Sequence, residues 1–175
     1  CNKIKSNSYV RHWLSGTVIF QTPIYFTYKD VSCKALVDII KIDHDNKKIC
    51  PLDLKITDYL PTWLERFMKF RYDIQAFWYL TALRNWQNEN YSSYALDDFR
   101  FIVGSKCCHN PIIYKCDFSI INSGKFGRTD RFISRYYKGV DDLLVEYKQR
   151  TKLNNWEDPI GVIENGEILI TEDDT

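Results

Sequence analysis

Asp53 and Lys55 stand two positions apart in the stretch KICPLDLKITDYL (residues 48–60), a run otherwise typical of a buried strand. Residues at i and i+2 of a strand share a face, so the two side chains point the same way. A charge is costly to bury unless it is paired or binds something. The pair therefore indicates either a solvated strand edge or the floor of a site.

The acid-x-Lys pattern alone carries no weight, because about two matches are expected by chance at this composition. The chain contains three, at Asp45–Lys47, Asp53–Lys55 and Glu146–Lys148. The first lies in a polar turn, and the last on a predicted helix, where i and i+2 do not face each other. Only Asp53–Lys55 can present both groups to one site.

Asp38 adds a second acid to this site. It interrupts the apolar strand run ALVDIIKI, which the turn DHDN (43–46) joins to the strand of Asp53. A hairpin of that length can bring the two carboxylates side by side, where they repel unless one is protonated or a cation lies between them. Hard oxygen ligands with open positions suit Mg²⁺, and Lys55 could orient a water or stabilise phosphoryl charge.

A downstream helix brings an uncharged polar group to the same region. Gln75 and Tyr79, in YDIQAFWY (72–79), are spaced i and i+4 and so share a helix face. An amide beside two carboxylates can hold a water or a ligand without adding charge.

The elements that must position these residues follow from apolar and aromatic periodicity. Residues 17–56 predict an antiparallel meander of three strands, and residues 62–88 one long helix with Thr62 as its N-cap and Glu65 in capping-box position. The predicted order is β-β-β-α-β-β-α, a single α/β domain with a mixed sheet. The predicted strands are 17–28, 32–42, 47–56, 98–104, 111–118 and a short 166–170, and the second helix is 127–150.

Composition excludes several classes of protein. The 175 residues are 45% hydrophobic with a net charge of +1, so we expect one domain and, for any nucleic-acid partner, only a local basic patch. The six cysteines form no CxxC pair, which argues against zinc and iron–sulfur sites and favours mostly buried thiols in a reducing, intracellular protein. Without a signal peptide or a long apolar run, we expect no membrane association. Because the chain begins at Cys1, we also expect it to be incomplete at its N-terminus.

Asp38, Asp53-Leu54-Lys55 and the Gln75–Tyr79 segment, in that order, resemble the motifs of the PD-(D/E)XK nuclease superfamily, in its RecB-like branch with a Q-x-x-x-Y motif. CKALVDII, LDLKIT and RYDIQAFWYLTAL are similar to phage-type exonucleases related to RecE (exodeoxyribonuclease VIII) and, more distantly, to lambda exonuclease. The resemblance covers residues 17–120 and implies a restriction-endonuclease-like core, with a central mixed sheet flanked by helices.

The resemblance also implies an activity, that of a Mg²⁺-dependent DNA exonuclease of phage or prophage recombination, with Mn²⁺ as a substitute. The metal ligands would be Asp38, Asp53 and the backbone carbonyl of Leu54. Lys55 would be the catalytic lysine and Gln75 a further catalytic residue at the rim. The expected DNA contacts are Lys34, Tyr72 and Tyr79. Expected partners are double-stranded DNA with free ends, a single-strand annealing recombinase and further copies of the chain, in a bacterial cytoplasm.

One position departs from the pattern. The RecE-like nucleases have an acid at the start of the strand before KALVD, and Gln21 occupies that place here. Gln21 offers a neutral oxygen as a metal ligand, with one charge fewer. Two other functions therefore stay open: a catalytically inactive domain used for DNA binding or assembly, and an endonuclease of restriction or repair type.

The stretch GKFGRTDRFISRYYK (124–138) is both basic and aromatic. A patch of this kind is found on nucleic-acid-binding surfaces, but within the predicted helix 127–150 a solvated helix face is the simpler interpretation.

Overall fold

The computed structural model describes residues 4, 6–107 and 110–156, and its elements fall along the chain in an α/β order. The strands and helices are α1 (Ser8–Trp13), β1 (Thr17–Tyr28), β2 (Val31–Asp43), β3 (Lys48–Thr57), α2 (Trp63–Lys69), α3 (Tyr72–Asn90), β4 (Ala95–Leu96), β5 (Arg100–Ser105), β6 (Ile112–Lys115), α4 (Phe118–Phe126), β7 (Arg128–Thr129), β8 (Tyr136–Tyr137) and α5 (Val140–Leu153). A 3₁₀ turn, Leu60–Thr62, precedes α2.

Six strands form one mixed sheet in the order β1-β2-β3-β5-β6, with β4 beside β3. The first three strands are an antiparallel meander, as predicted. β5 then pairs parallel to β3, with α2 and α3 forming the connection, and β6 returns antiparallel. The β-branched and aromatic runs therefore specify the sheet, and the amphipathic segment after Leu60 supplies the crossover that a parallel pair requires.

The sheet buries a core on each face. On one face, α3 packs Ala82 and Leu83 against β1 and β2, while the α2–α3 segment packs against β5. Aromatic rings fill the second region, where Trp63 stacks on Tyr72 with ring centroids 5.3 Å apart. On the other face, Val10 of α1 lies on the central strands. The central strands are thus covered on both faces.

The single helix predicted over residues 62–88 is wrong, because it breaks at Arg71. Arg71 has a left-handed backbone with φ 53°, and its guanidinium binds the buried carboxylate of Asp73 at 3.0 and 3.1 Å. The predicted capping box is also absent, since the Thr62 hydroxyl donates to the Tyr59 carbonyl at 2.9 Å instead of accepting from the helix. The break fixes where α3 begins.

The predicted helix 127–150 is wrong over its first part. Residues 128–137 form a short hairpin, β7–β8, and α5 begins only after Gly139. Gly127 has φ 84°, a conformation that continues no helix. The Asp142 side chain accepts from the Gly139 amide at 2.9 Å and so begins α5.

Three elements were not predicted: α1, the short β4, and α4. The last takes the end of the predicted strand 111–118, because Asp117 accepts a hydrogen bond from the Ile120 amide at 3.0 Å and so caps a helix there. The predicted strand 166–170 lies outside the described residues. In the part of the chain that is described, no helix has the length and apolar character needed to cross a bilayer.

Four cysteines are described as free thiols. Cys50 and Cys116 are buried, and burial raises the pKa of their thiols to about 11 and about 12 respectively. Cys33 is half-buried and Cys107 is exposed. The expectation of buried thiols is therefore met at two of these positions.

Replacing Gly124 with Ala should destabilise the fold. α4 crosses the start of α3 at this glycine, where an added Cβ would lie 2.6 Å from the carbonyl carbon of Asp73. Because backbone cannot move aside as a side chain does, the free energy of unfolding should fall by roughly 1–3 kcal/mol. Urea denaturation measures it, and Ser123→Ala on the same helix is the control, with a change within about 0.5 kcal/mol. Equal midpoints for the two variants would contradict this packing.

Candidate active site

Three polar side chains lie in one row across β1, β2 and β3. The β1–β2 register places Gln21 opposite Asp38, and the Gln21 amide nitrogen donates to the Asp38 carboxylate at 2.9 Å. The β2–β3 ladder ends at Ile39–Leu52, so the next residues along are Asp38 and Asp53. From Leu52 onward β3 pairs with β5 instead. The two acids therefore lie where β2 and β3 separate, a place where the sheet opens.

The backbone is distorted at this row. Gln21 has φ 50°, which costs a residue with a side chain on the order of 1 kcal/mol. Ile19 and Ile24 both pack on the α3 side of β1 although strict alternation would put them on opposite faces. The strand thus shifts its side-chain phase by one residue at Gln21, which turns that amide toward Asp38.

Asp53 is fully buried, with 0% of its surface exposed. Its Oδ1 accepts from the Gln75 amide at 2.7 Å and from the Lys55 ammonium at 3.1 Å. Its Oδ2 lies 2.8 Å from the Lys55 nitrogen but accepts no hydrogen bond within the described residues. A buried carboxylate oxygen without a hydrogen bond is rare in folded proteins, and beside its ion pair with Lys55 this oxygen keeps lone pairs that could accept a further ligand.

Burial raises the pKa of Asp53 from an ordinary 3.8 to about 6. The adjacent Asp38 carboxyl adds to the increase in pKa, and Lys55 opposes it. Perturbed carboxyl groups of this kind concentrate at functional sites, because binding and catalysis use the same charges that burial makes unfavourable.

Lys55 is held in place by an acid and two rings. Its ammonium lies 4.9 Å from the centroid of the Tyr72 ring and 6.0 Å from that of Phe101. With 20% of its side chain exposed, Lys55 is within reach of solvent but not surrounded by it. The i and i+2 pairing expected for Asp53 and Lys55 is therefore present as a close ion pair.

α3 supplies the remaining predicted residues. Gln75 binds Asp53, and Tyr79, one turn further, has a phenol pKa that burial raises and that a hydrogen bond with Gln75 lowers. Tyr72 lies over Lys55 rather than on the outer surface. Nothing in the sequence indicated that Arg71, by ending α2, would set the position of all three.

The side chains of Lys34 and Leu54 do not join this cluster, although for Leu54 the prediction concerned only the backbone carbonyl. Lys34 is exposed, between Cys33 and Ala35, which both pack against the core, and it contributes its backbone carbonyl to a hydrogen bond from the Trp78 indole at 3.2 Å. The side chain of Leu54 is 41% exposed and points away from Asp53, which leaves only its backbone carbonyl as a ligand.

The donor set suits a hard divalent cation held by few protein ligands. No group of three or more His, Cys, Asp or Glu able to hold a metal occurs in residues 4, 6–107 and 110–156. Asp38 and Asp53 are two carboxylates, and Mg²⁺ is commonly bound by one or two together with waters and substrate phosphates. The unbonded Asp53 Oδ2 is consistent with such a ligand.

Comparison with known proteins gives a fold. No family model matches the chain, and no curated protein does. Among solved structures, the crystal structure of a presumed exonuclease from Eubacterium rectale aligns with a TM-score of 0.55 at 14% identity, over 97% of this chain. The chain spans 59% of the length of that protein. The present chain therefore has a restriction-endonuclease-like fold. The expected central mixed sheet flanked by helices is confirmed.

Replacing Asp53 with Asn should remove a pH-dependent loss of stability. Between about pH 4 and pH 6 the folded protein keeps a proton on Asp53 that the unfolded chain has released, so the free energy of unfolding falls as pH rises. Each pKa unit corresponds to about 1.4 kcal/mol, so the stability of the wild type relative to Asp53→Asn should fall by up to about 3 kcal/mol across this range.

Urea denaturation in EDTA, from pH 4 to pH 7, measures this difference. Asp45→Asn, in the exposed turn, is the control: it keeps Asp53, so its stability should fall with pH as that of the wild type does. A relative stability that stays flat or rises with pH would show that Asp53 does not titrate as its burial requires.

Proposed function

We propose that this protein is a metal-dependent nuclease that hydrolyses phosphodiester bonds of linear double-stranded DNA. The observation that carries the proposal is the buried Asp53 carboxylate, held by Gln75 and Lys55 beside Asp38 where two strands separate. The likeness in fold to a presumed exonuclease supports it.

The residues that would hold the cation are Asp38, Asp53, the backbone carbonyl of Leu54 and the side-chain oxygen of Gln21. Hard oxygen ligands of this type favour Mg²⁺, with Mn²⁺ as a substitute. A bound divalent cation supplies positive charge for the phosphoryl oxygens and acidifies nearby water.

The protein's own groups have distinct tasks in this proposal. The Lys55 ammonium lies 2.8 Å from Asp53 Oδ2 and stabilises negative charge that develops on the phosphoryl group. Gln75 donates to Asp53 Oδ1 and so leaves Oδ2 as the available oxygen. Because burial raises the pKa of Asp53 to about 6, the carboxylate form that binds a cation predominates only above that pH.

The finer parts of the proposal follow the sequence resemblance. They are an exonuclease acting from free DNA ends in phage or prophage recombination, an annealing recombinase as partner, assembly with further copies of the chain, and a place in the bacterial cytoplasm. Lys34 and Tyr79 are proposed DNA contacts, and a circular substrate separates an exonuclease from a restriction or repair endonuclease.

Purified protein should degrade linear duplex DNA in Mg²⁺, leave a closed circular duplex intact, and lose all activity in EDTA. Asp53→Ala and Lys55→Ala should each lower the rate by at least about 100-fold, since each removes a charge in direct reach of the reacting phosphate. Gel electrophoresis of labelled DNA provides the measurement.

The chain offers matched controls in Asp45→Ala and Lys47→Ala, the same pattern in an exposed turn, which should cut DNA at the wild-type rate. Failure of the wild type to cut any DNA with Mg²⁺ or Mn²⁺ would refute the nuclease proposal.

A catalytically inactive DNA-binding domain is the second candidate, and Gln21 is the observation that favours it. Its amide nitrogen, not its oxygen, faces Asp38, so the Asp38 carboxylate has a hydrogen-bond donor without a cation. An amide in place of a carboxylate also gives the site one negative charge fewer, and affinity for a divalent cation decreases as the number of negatively charged ligands decreases.

Replacing Gln21 with Glu should tighten Mn²⁺ binding, on the order of tenfold or more, because it adds a carboxylate to the row of Asp38 and Asp53. Titration calorimetry measures the dissociation constant. Thr27→Glu, which adds the same charge at an exposed position of β1, should leave the affinity unchanged. Unaltered or weaker binding by Gln21→Glu would remove Gln21 from the proposed ligand set. A gain of DNA cleavage that the wild type lacks would favour the inactive-domain candidate.

A further inference from the structure

The β7–β8 hairpin carries an exposed apolar tip. We call residues 130–135, between the two strands, the hairpin tip. Phe132 is 99% exposed and Ile133 is 62% exposed. Phe132 is thus almost wholly in solvent, which leaves both faces of its ring accessible for a stacking contact.

The charge around this tip is basic. Arg131 and Arg135 are both exposed, and neither forms an ion pair among the residues that the structure describes. Asp130 is the acid of the tip, and its carboxylate accepts from the Phe132 backbone amide at 2.9 Å. The Arg135 guanidinium also lies 5.6 Å from the centroid of the Tyr137 ring. The tip therefore carries two exposed guanidinium groups and one exposed ring, a combination that fits an anionic partner with flat apolar groups.

The base of the hairpin is fixed by hydrogen bonds and close backbone packing, so the tip extends from a well-packed part of the fold. The Tyr136 hydroxyl bonds to the Phe126 carbonyl and to Asp142, both at 2.6 Å. Gly127 and Gly139 pack so closely that a Cβ on either would overlap the neighbouring backbone. The hairpin therefore projects from the junction of α4 and α5.

One residue links this hairpin to the candidate active site. The Arg71 guanidinium donates to the Lys138 carbonyl at 2.8 Å and lies 5.8 Å from the centroid of the Tyr137 ring. Its neighbour Tyr72 lies over Lys55. The hairpin thus emerges beside the start of α3, one residue away from a side chain that contacts Lys55.

We propose that the hairpin tip binds an unpaired base at the end of a DNA strand, with Phe132 stacked on the base and Arg131 and Arg135 on the flanking phosphates. Stacking on aromatic side chains and phosphate contacts by arginine are how proteins bind bases outside a duplex. This inference rests on the proposed function and adds the contact that would guide a strand end toward Asp53.

A lipid surface is the competing partner for an apolar tip with basic neighbours. The tip offers two exposed apolar side chains, Phe132 and Ile133, and stable membrane anchoring needs a larger apolar area or a second anchor. The link through Arg71 to the candidate site favours the nucleic acid.

The test uses a duplex with a short single-stranded overhang that carries the fluorescent base 2-aminopurine, and a second duplex with the same base at an internal position. Titration of the protein in EDTA, which prevents cleavage, should change the fluorescence of the overhanging base and not of the internal one. Phe132→Ala should weaken binding by roughly 5- to 150-fold, as loss of one stacked base predicts.

Phe118→Ala is the matched control, because Phe118 is 79% exposed at the far end of α4 and should bind like the wild type. Arg131→Gln should lower the salt dependence of binding by about one unit of slope. Circular dichroism should show that each variant keeps its fold.

The outcomes separate this inference from the nuclease proposal. If the wild type cuts DNA with Mg²⁺ but Phe132→Ala binds the overhang as tightly as the wild type, the role of the hairpin tip is overturned alone. Loss of binding to phosphatidylserine vesicles in Phe132→Ala, with DNA binding unchanged, overturns it in favour of a membrane. If the wild type neither binds nor cuts DNA, both proposals fall.

Discussion

The candidate site depends on burying the Asp53 carboxylate in the folded protein. Burial makes that charge unfavourable, and two groups offset the cost: the Lys55 ammonium, two residues along the same strand, and the Gln75 amide from α3. Lys55 lies close to Asp53 because residues at i and i+2 of β3 share a face. Gln75 reaches Asp53 only if α3 packs on the sheet in one particular position along its axis. The position of α3 on the sheet is therefore tied to the chemistry of one carboxylate.

That position is set by the break before α3. The left-handed Arg71 stops α2, and its bidentate contact with the buried Asp73 fixes the first turn of α3. The same guanidinium donates to the Lys138 carbonyl, so one side chain holds the start of α3 against the base of the β7–β8 hairpin. Arg71 thus connects α3, which carries Gln75, to the β7–β8 hairpin. Local sequence patterns do not reveal this connection.

The sequence predicts those parts of the structure that depend on periodicity and nearest neighbours. The meander of β1, β2 and β3 follows from β-branched runs and one polar turn, and the shared face of Asp53 and Lys55 follows from strand alternation. The helix break at Arg71 and the hairpin after Gly127 were missed. Both replace a regular amphipathic pattern with a positive φ that tertiary contacts stabilise, and no periodicity reports such contacts. The distorted backbone at Gln21 belongs to the same class.

Each acid in the row of Gln21, Asp38 and Asp53 has at least one hydrogen-bond donor without a cation, and this bears on how a cation would enter. Asp38 has the Gln21 amide as its hydrogen-bond donor, while Asp53 has Gln75 and Lys55. A cation between the acids would meet the Gln21 NH₂ group, which repels it. Half a turn of the amide exchanges donor for acceptor at the cost of one hydrogen bond to Asp38, about 1 kcal/mol or somewhat more to a charged partner. A carboxylate at this position would instead attract the cation but would add a third charge to repel Asp38 and Asp53 when the site is empty. If the proposed cation binds here, glutamine at this position would lower the affinity for it and stabilise the cation-free fold relative to a carboxylate. The positive φ of Gln21 holds the amide beside Asp38, where both effects would arise.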